Sequence, residues 1–216
     1  MKTLAELVNT DSPAIAQVRE WAAAGSVECE ILPPSPDRDA TLLGVQVTTR
    51  SVLGALAYDT GGVLLDGGWL RFLGSGHPRL PRRLDLWNER RASGFYLVAD
   101  DAAGGFFALN GGALGDDSGS MYYWSPDAIE WEPLQLGLAD LMHGFLTDRL
   151  AKFYSDLRWH DWREDVARLS GDWCYAFYPF LWMKEGSLEG SKRATVPVHE
   201  AYDLKADMVR QMSGGA

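Results

Sequence analysis

The sequence predicts an α+β fold: an antiparallel β-sheet meander with helices packed on one face, followed by a mixed C-terminal extension. Three observations predict it. Residues 94–134 hold four β-rich runs, "GFYLVAD", "GFFALN", "SMYYWS" and "IEWEPL", bent at Gly, Asp and Pro into two successive hairpins. Directly after them, "LGLADLMHGFLTDRLAKFY" sets Leu138, Leu141, Met142, Phe145 and Leu146 on one helical face, a stripe suited to cover a sheet. The N-terminal segment is helical in pattern, with Leu4, Leu7 and Val8 and then Ile15, Val18, Trp21 and Ala22 at helical spacing.

Taken in order, the second N-terminal helix starts at Ser12 and Pro13 and stops at Gly25. "VECEILPP" alternates Val27, Cys29 and Ile31 with Glu28 and Glu30, the period of a half-exposed strand, and "PPSPDRD" ends it as a loop. A short strand is expected over Leu43–Val47, then a helix from Thr49 or Ser51 to Gly61. "VLLDGGWLRFLG" reads as strand, Asp-Gly turn and strand. A loop leads into a helix with Leu84, Leu86 and Trp87, and the meander and its covering helix follow. Past Tyr154 come a charged helix in "SDLRWHDWREDVARLS", an aromatic run "WCYAFYPFLW" that Pro179 bars from continuing as a central strand, an extended piece at Val196–Val198 and a terminal helix. The domain reading is residues 1–150 as the α+β unit and 151–216 as an extension packed on it.

The 216 residues are enough for a core without disulfides or metals. Twenty Lys and Arg against 30 Asp and Glu give a net charge of −10, which disfavours nucleic acid and anionic membranes as partners. No run reaches the ~18 apolar residues of a bilayer span, and the N-terminus lacks the charged-then-apolar layout of a secretory signal, so a cytoplasmic location is expected. Cys29 and Cys174 lie far apart without metal spacing, as in a reduced protein.

Motifs with chemistry are scarce. "GSGHPRLP" lacks the Lys and Ser/Thr of a phosphate loop, and Arg79 with two prolines excludes the dinucleotide fingerprint. His77, His143, His160 and His199 form no local zinc pair, and no nucleophile elbow exists. The expectation is no catalytic residue, no metal and no cofactor. Trp69, Arg71, Ser75 and His77 are the residues that could line a ligand pocket between the 69–77 segment and the aromatic extension. Charge asymmetry is the clearer signal. Nine acids and no Lys or Arg lie between Ala92 and Asp148, while six arginines sit in 71–91. Asp100, Asp101, Asp116, Asp117, Asp127 and Glu130 are therefore the expected partner-facing surface, suited to a basic protein.

The series "GG-x-LRFLG", "GFYLVADDAAGGFFALN", "GSMYYWSPDAIEWEPL" and "GLADLMHGFL" resembles the SUKH superfamily over residues 40–150. That resemblance implies helices on one face of an antiparallel sheet, no catalytic apparatus, and a role as a toxin-immunity protein, binding a basic toxin or nuclease, or as an adaptor. The chain departs from the pattern after residue 150 and in its arginine-rich segment. Two other readings stand beside it: an enzyme or small-ligand protein using the 69–77 pocket, and a homo-oligomer built through "WCYAFYPFLW".

Overall fold

A computed structural model describes residues 1–213. Seven strands form one antiparallel sheet in chain order: β1 (Cys29–Leu32), β2 (Gly62–Leu65), β3 (Leu70–Leu73), β4 (Phe95–Asp101), β5 (Phe106–Asn110), β6 (Met121–Trp124) and β7 (Glu132–Pro133). The helices are α1 (Leu4–Leu7), α2 (Ala14–Ala24), α3 (Arg38–Val45), α4 (Val52–Asp59), α5 (Leu84–Asn88), α6 (Leu138–Phe145), α7 (Arg149–Phe153), α8 (Trp162–Ala167) and α9 (Val198–Ser213). A separate hairpin pairs β8 (Trp173–Tyr178) with β9 (Lys192–Pro197). The α+β class and the four-stranded core of the meander are as the sequence predicts.

The inner strands β2, β3 and β6 are buried at every residue, so both faces of the sheet are covered. Alternation along the strands shows by what. On one face, Phe107 and Tyr123, cross-strand partners, meet Phe145 of α6 and Phe153 of α7. On the other, Phe106 and Trp124, also partners, meet Tyr202 of α9 at 5.0 and 5.8 Å between ring centroids. Helices of the first 153 residues thus cover one side, and the C-terminal extension covers the other.

Three local readings differ from the sequence expectation. Residues 38–45 are helical where the sequence predicts a strand over 43–47. Two adjacent leucines in a short run fit either period, and here Thr41 and Leu42 turn inward together before Gln46 stops the helix in the left-handed region at φ 58°. The long helix after the meander breaks between α6 and α7, where the Thr147 hydroxyl donates to Gly144 O at 2.6 Å and competes with the helical ladder. In the charged segment, only Trp162–Ala167 is α-helical.

The segment 67–77 is a fold marker. Gly67 and Gly68 take φ of 70° and 94° in the β2–β3 turn, a region that disfavours side chains. Gly74 sits so close to β2 that a Cβ would lie 2.5 Å from Gly62 N. Trp69 is fully buried, ringed by Tyr154, Trp159 and Trp162, and Arg158 stacks 4.0 Å over Trp162 while pairing with Asp66 at 2.7 Å.

Candidate functional site

The four expected pocket residues do not converge. Trp69 belongs to the core. The Ser75 hydroxyl donates to Thr60 O at 2.7 Å and accepts from Ser35 N at 2.9 Å, which fixes a loop and leaves it no base. His77 Nδ1 accepts from Arg79 N at 3.2 Å and, with Ser75, borders an open hollow walled by Pro33 to Asp37. Arg71 borders a different cleft, of about 310 Å³, between Gly67, Gly68 and Arg79 on one side and residues 166–171 on the other.

The expected acidic surface needs a larger correction. Asp100 is 1% exposed and Asp101 is fully buried, so neither faces a partner. Both lie on an inner strand whose two faces are covered. Asp100 points to the extension side, where it pairs with Arg71 at 2.5 Å and accepts from Arg82. Those arginines carry the connection onward: Arg71 donates to Trp173 O at 2.6 Å, and Arg82 to Gly171 O at 2.7 Å and to Asp172 at 3.0 Å. The arginine-rich segment is thus partly an internal clamp on the extension. Asp101, on the opposite face, accepts from the backbone N–H of Ala103 and Gly105 and from the hydroxyls of Tyr123 and Tyr154. Burial raises its pKa against the pull of these donors. The remaining four acids are exposed but fall into two groups. Asp116 and Asp117 lie in the β5–β6 loop, while Asp127 and Glu130 lie in the β6–β7 loop at the opposite end of β6, roughly 10–13 Å away along the strand.

The extension builds a pocket that sequence reasoning missed. Strand β8 ends at Tyr178, and the chain turns through a cis Tyr178–Pro179 bond into Phe180 and Trp182, whose rings stack at 4.4 Å. Helix α9 then returns beneath, with Val198, Tyr202 and Lys205 at i, i+4 and i+7 forming its buried stripe. Between these elements lies a cavity of about 50 Å³ lined by Ala103, Pro126, Phe177, Leu181, Trp182 and Lys205 among others. Lys205 is 4% exposed. Its Nζ donates to Ser125 O and, at 3.5 Å, to Trp124 O, and it lies 4.6 and 5.8 Å from the ring centres of Trp124 and Trp182. Burial pulls its pKa down to about 7, opposed by the charges of Asp101, Asp127 and Glu132. The thiols behave oppositely: burial pushes Cys174 up to about 12 and Cys29 up to about 11, so neither is an activated nucleophile.

Fold and site together define an α+β protein whose antiparallel sheet is covered on one face by α6 and α7 and on the other by its own C-terminal segment, with four charged side chains, Arg71, Asp100, Asp101 and Lys205, buried among the described residues. The chain belongs to the family described as "Protein of unknown function DUF2625", which matches residues 4–201. That match includes β8, β9 and the start of α9, so the extension is part of the family's pattern, and it ends before Lys205. The chain is 41% identical over 212 residues to the uncharacterized protein YbfG of Escherichia coli (strain K12), covering 96% of this chain and 97% of that one. An uncharacterized protein of Haemophilus influenzae is 36% identical over 189 residues, covering 84% and 83%. Among the described residues no helix is long and apolar enough to cross a membrane.

Proposed function

We propose that this chain is a non-enzymatic binding protein of the cytoplasm, SUKH-like and of immunity or adaptor type, whose partner is a basic protein. The recognition surface is the edge where the extension meets the β6–β7 loop. The observation that carries this reading is the exposure of three large apolar side chains of the extension, Tyr178 (71%), Met183 (45%) and Leu204 (48%), of which Leu204 lines a pocket also lined by Pro126, the residue immediately before Asp127. An apolar centre with a charged rim is the usual division of labour in a protein interface, anchors giving affinity and charges giving orientation and on-rate. This cavity, at about 50 Å³, is too small for a cofactor or drug-sized ligand, which needs roughly 300–1,000 Å³, whereas the open cleft beside Arg71 reaches about 310 Å³. In support of the SUKH-like reading stand the in-order antiparallel sheet and the helices α6 and α7 on one face.

Capture on the immobilised full chain at low salt, read by mass spectrometry, tests this. A basic protein is expected on the wild type, lost with Asp127→Asn/Glu130→Gln and with Tyr178→Ala/Met183→Ala, and kept with Asp116→Asn/Asp117→Asn. Equal recovery on all four proteins, or an acidic captured protein, sinks the assignment. A second reading rests on the Arg71 cleft: Arg71 Nε is buried without a hydrogen-bond partner, a donor available to a small carboxylate or phosphate. The absence of any thermal shift with millimolar phosphate or simple dicarboxylates removes it.

A further inference from the structure

We infer that the hollow between the last edge of the sheet and helices α6 and α7 binds an alkyl carboxylate, with its chain laid on leucine and phenylalanine side chains and its anionic head on Arg149. After β7 the chain runs on along the edge of β6, where Leu134 N donates to Met121 O and Leu136 O accepts from Met121 N. Leu134 and Leu136 are only half-buried there, and so is Phe153 of α7. Together with Leu141 and Phe145 of α6, they wall an open hollow of about 430 Å³. That volume falls within the roughly 300–1,000 Å³ of small-ligand sites. At roughly 30 Å³ for a water, it takes on the order of a dozen heavy atoms, about the size of a ten-carbon carboxylate.

Charge sets the class of ligand. Two cations border the hollow, Arg149 and Lys152, and they are the first Lys or Arg in the chain after Arg91. Lys152 is paired with Asp148. The guanidinium of Arg149 has no acceptor among the described residues, and its place is fixed by packing: Cδ and Nη1 lie 3.5 and 3.6 Å from where a Cβ on Gly144 would stand. Gly144 shares a helix face with Leu141 and Phe145, so the charged end of Arg149, and not only its stem, lies on the side of α6 that walls the hollow. Arg149, Lys152 and Asp148 together leave one positive charge at this rim, on a chain whose net charge is −10. A neutral apolar ligand leaves that charge unanswered, and a bare phosphate leaves the leucines uncovered. An amphipathic monoanion answers both, since a carboxylate accepts two parallel N–H bonds from a guanidinium. The hollow lies on the α6–α7 face of the sheet, whereas the partner surface proposed above belongs to the extension on the other face. The inference goes beyond that reading and does not rest on it.

Isothermal titration calorimetry of the full chain with sodium hexanoate, octanoate and decanoate, each kept below its micellar concentration, tests the assignment. Burying a methylene completely changes Kd about fourfold, and a groove open on one side gives about twofold. Decanoate, with four more methylenes, is therefore expected to bind at least about fifteenfold tighter than hexanoate. Arg149→Gln is expected to weaken octanoate about fivefold, the upper end for an exposed ion pair, and to leave 1-octanol unchanged. Leu136→Gln, at a half-buried position, is expected to weaken both ligands alike, with Tm confirming that both variants are folded. No binding heat with millimolar decanoate, equal affinity for octanoate and 1-octanol, or an Arg149→Gln protein that binds octanoate like the wild type overturns the inference. Tighter binding of acetyl-Leu-Leu than of decanoate also overturns it, by assigning the hollow to the C-terminus of a peptide. None of these results bears on capture of a basic protein by the extension.

Discussion

Replacing Asp100 by asparagine removes one negative charge and keeps nearly the same shape, which makes it a sharp probe of the buried ionic cluster. In the wild type the carboxylate holds Arg71 and Arg82, and all three side chains are almost wholly shielded from water. The amide that replaces it offers one carbonyl oxygen to two guanidinium groups and turns an NH₂ toward the other. Arg82 keeps Asp172 and Gly171, but Arg71 is left with backbone carbonyls alone. Breaking a buried pair on one side costs about 3–5 kcal/mol, whereas an exposed acid such as Asp116 is worth within about 0.5 kcal/mol. At roughly 2–4 °C per kcal/mol for a chain of this size, Asp100→Asn lowers Tm by about 6–20 °C, and Asp116→Asn leaves it nearly unchanged. Urea unfolding by circular dichroism gives the free energy directly. A loss under about 1 kcal/mol for Asp100→Asn refutes the buried-clamp account. The comparison also matters for interpreting binding data, because a variant that mixes Asp100 or Asp101 with the exposed acids loses fold and surface together.

Lys205→Met is expected to flatten the pH dependence of stability above neutrality. The native amine sheds its proton near pH 7 while the unfolded chain keeps it to about 10.5. Wild-type stability therefore rises from pH 7 toward 10, by up to about 1.4 kcal/mol per pH unit, and urea midpoints for the two proteins that run parallel over this range contradict it. Gly74→Ala places a Cβ 2.5 Å from Gly62 N and 2.6 Å from Thr60 O, both backbone atoms that yield little, and is expected to destabilise by about 1–3 kcal/mol in the same assay.

The parts of the fold legible in the sequence are those with punctuation. Each hairpin between Phe95 and Pro133 is bounded by Gly, Asp or Pro, and α6 carries an uninterrupted apolar stripe. Residues 38–45 start after Pro36 and Asp37, but Gly44 lies inside the helix rather than at its end, and propensity over eight residues does not choose between periods. The acids Asp100 and Asp101 mislead because "ADDAAGG" looks like a polar turn, while the burial of both is written in their neighbours: "FYLVA" is an unbroken inner-strand run, and an inner strand covered on both faces buries whatever follows the alternation. The partners of Asp100, Arg71 and Arg82, are 29 and 18 positions upstream, a pairing that only the sheet order and the clamp on the extension bring about. Lys205 leaves a local trace, since it occupies the i+7 position of the stripe begun by Val198 and Tyr202. A charged side chain there reads as an interruption of the stripe until Trp124 and Ser125, some 80 residues earlier, supply its acceptors.

The division of the sheet's two faces has a consequence during synthesis. All seven strands have been made by residue 133 and one cover by residue 153, but the second cover is the last part of the chain. At roughly 5–20 residues per second, the 66 residues after 150 take about 3–13 s to emerge. For that interval the face bearing Phe106 and Trp124 stands open to water. Arg71 and Asp100, on the same face, give that open surface a solvated ionic centre, so that the nascent sheet is less greasy while it waits than the finished interior would suggest. Arg71, which grips the extension at Trp173 O, and Asp100, which holds Arg71 in place, are well suited to stand in water before the extension arrives.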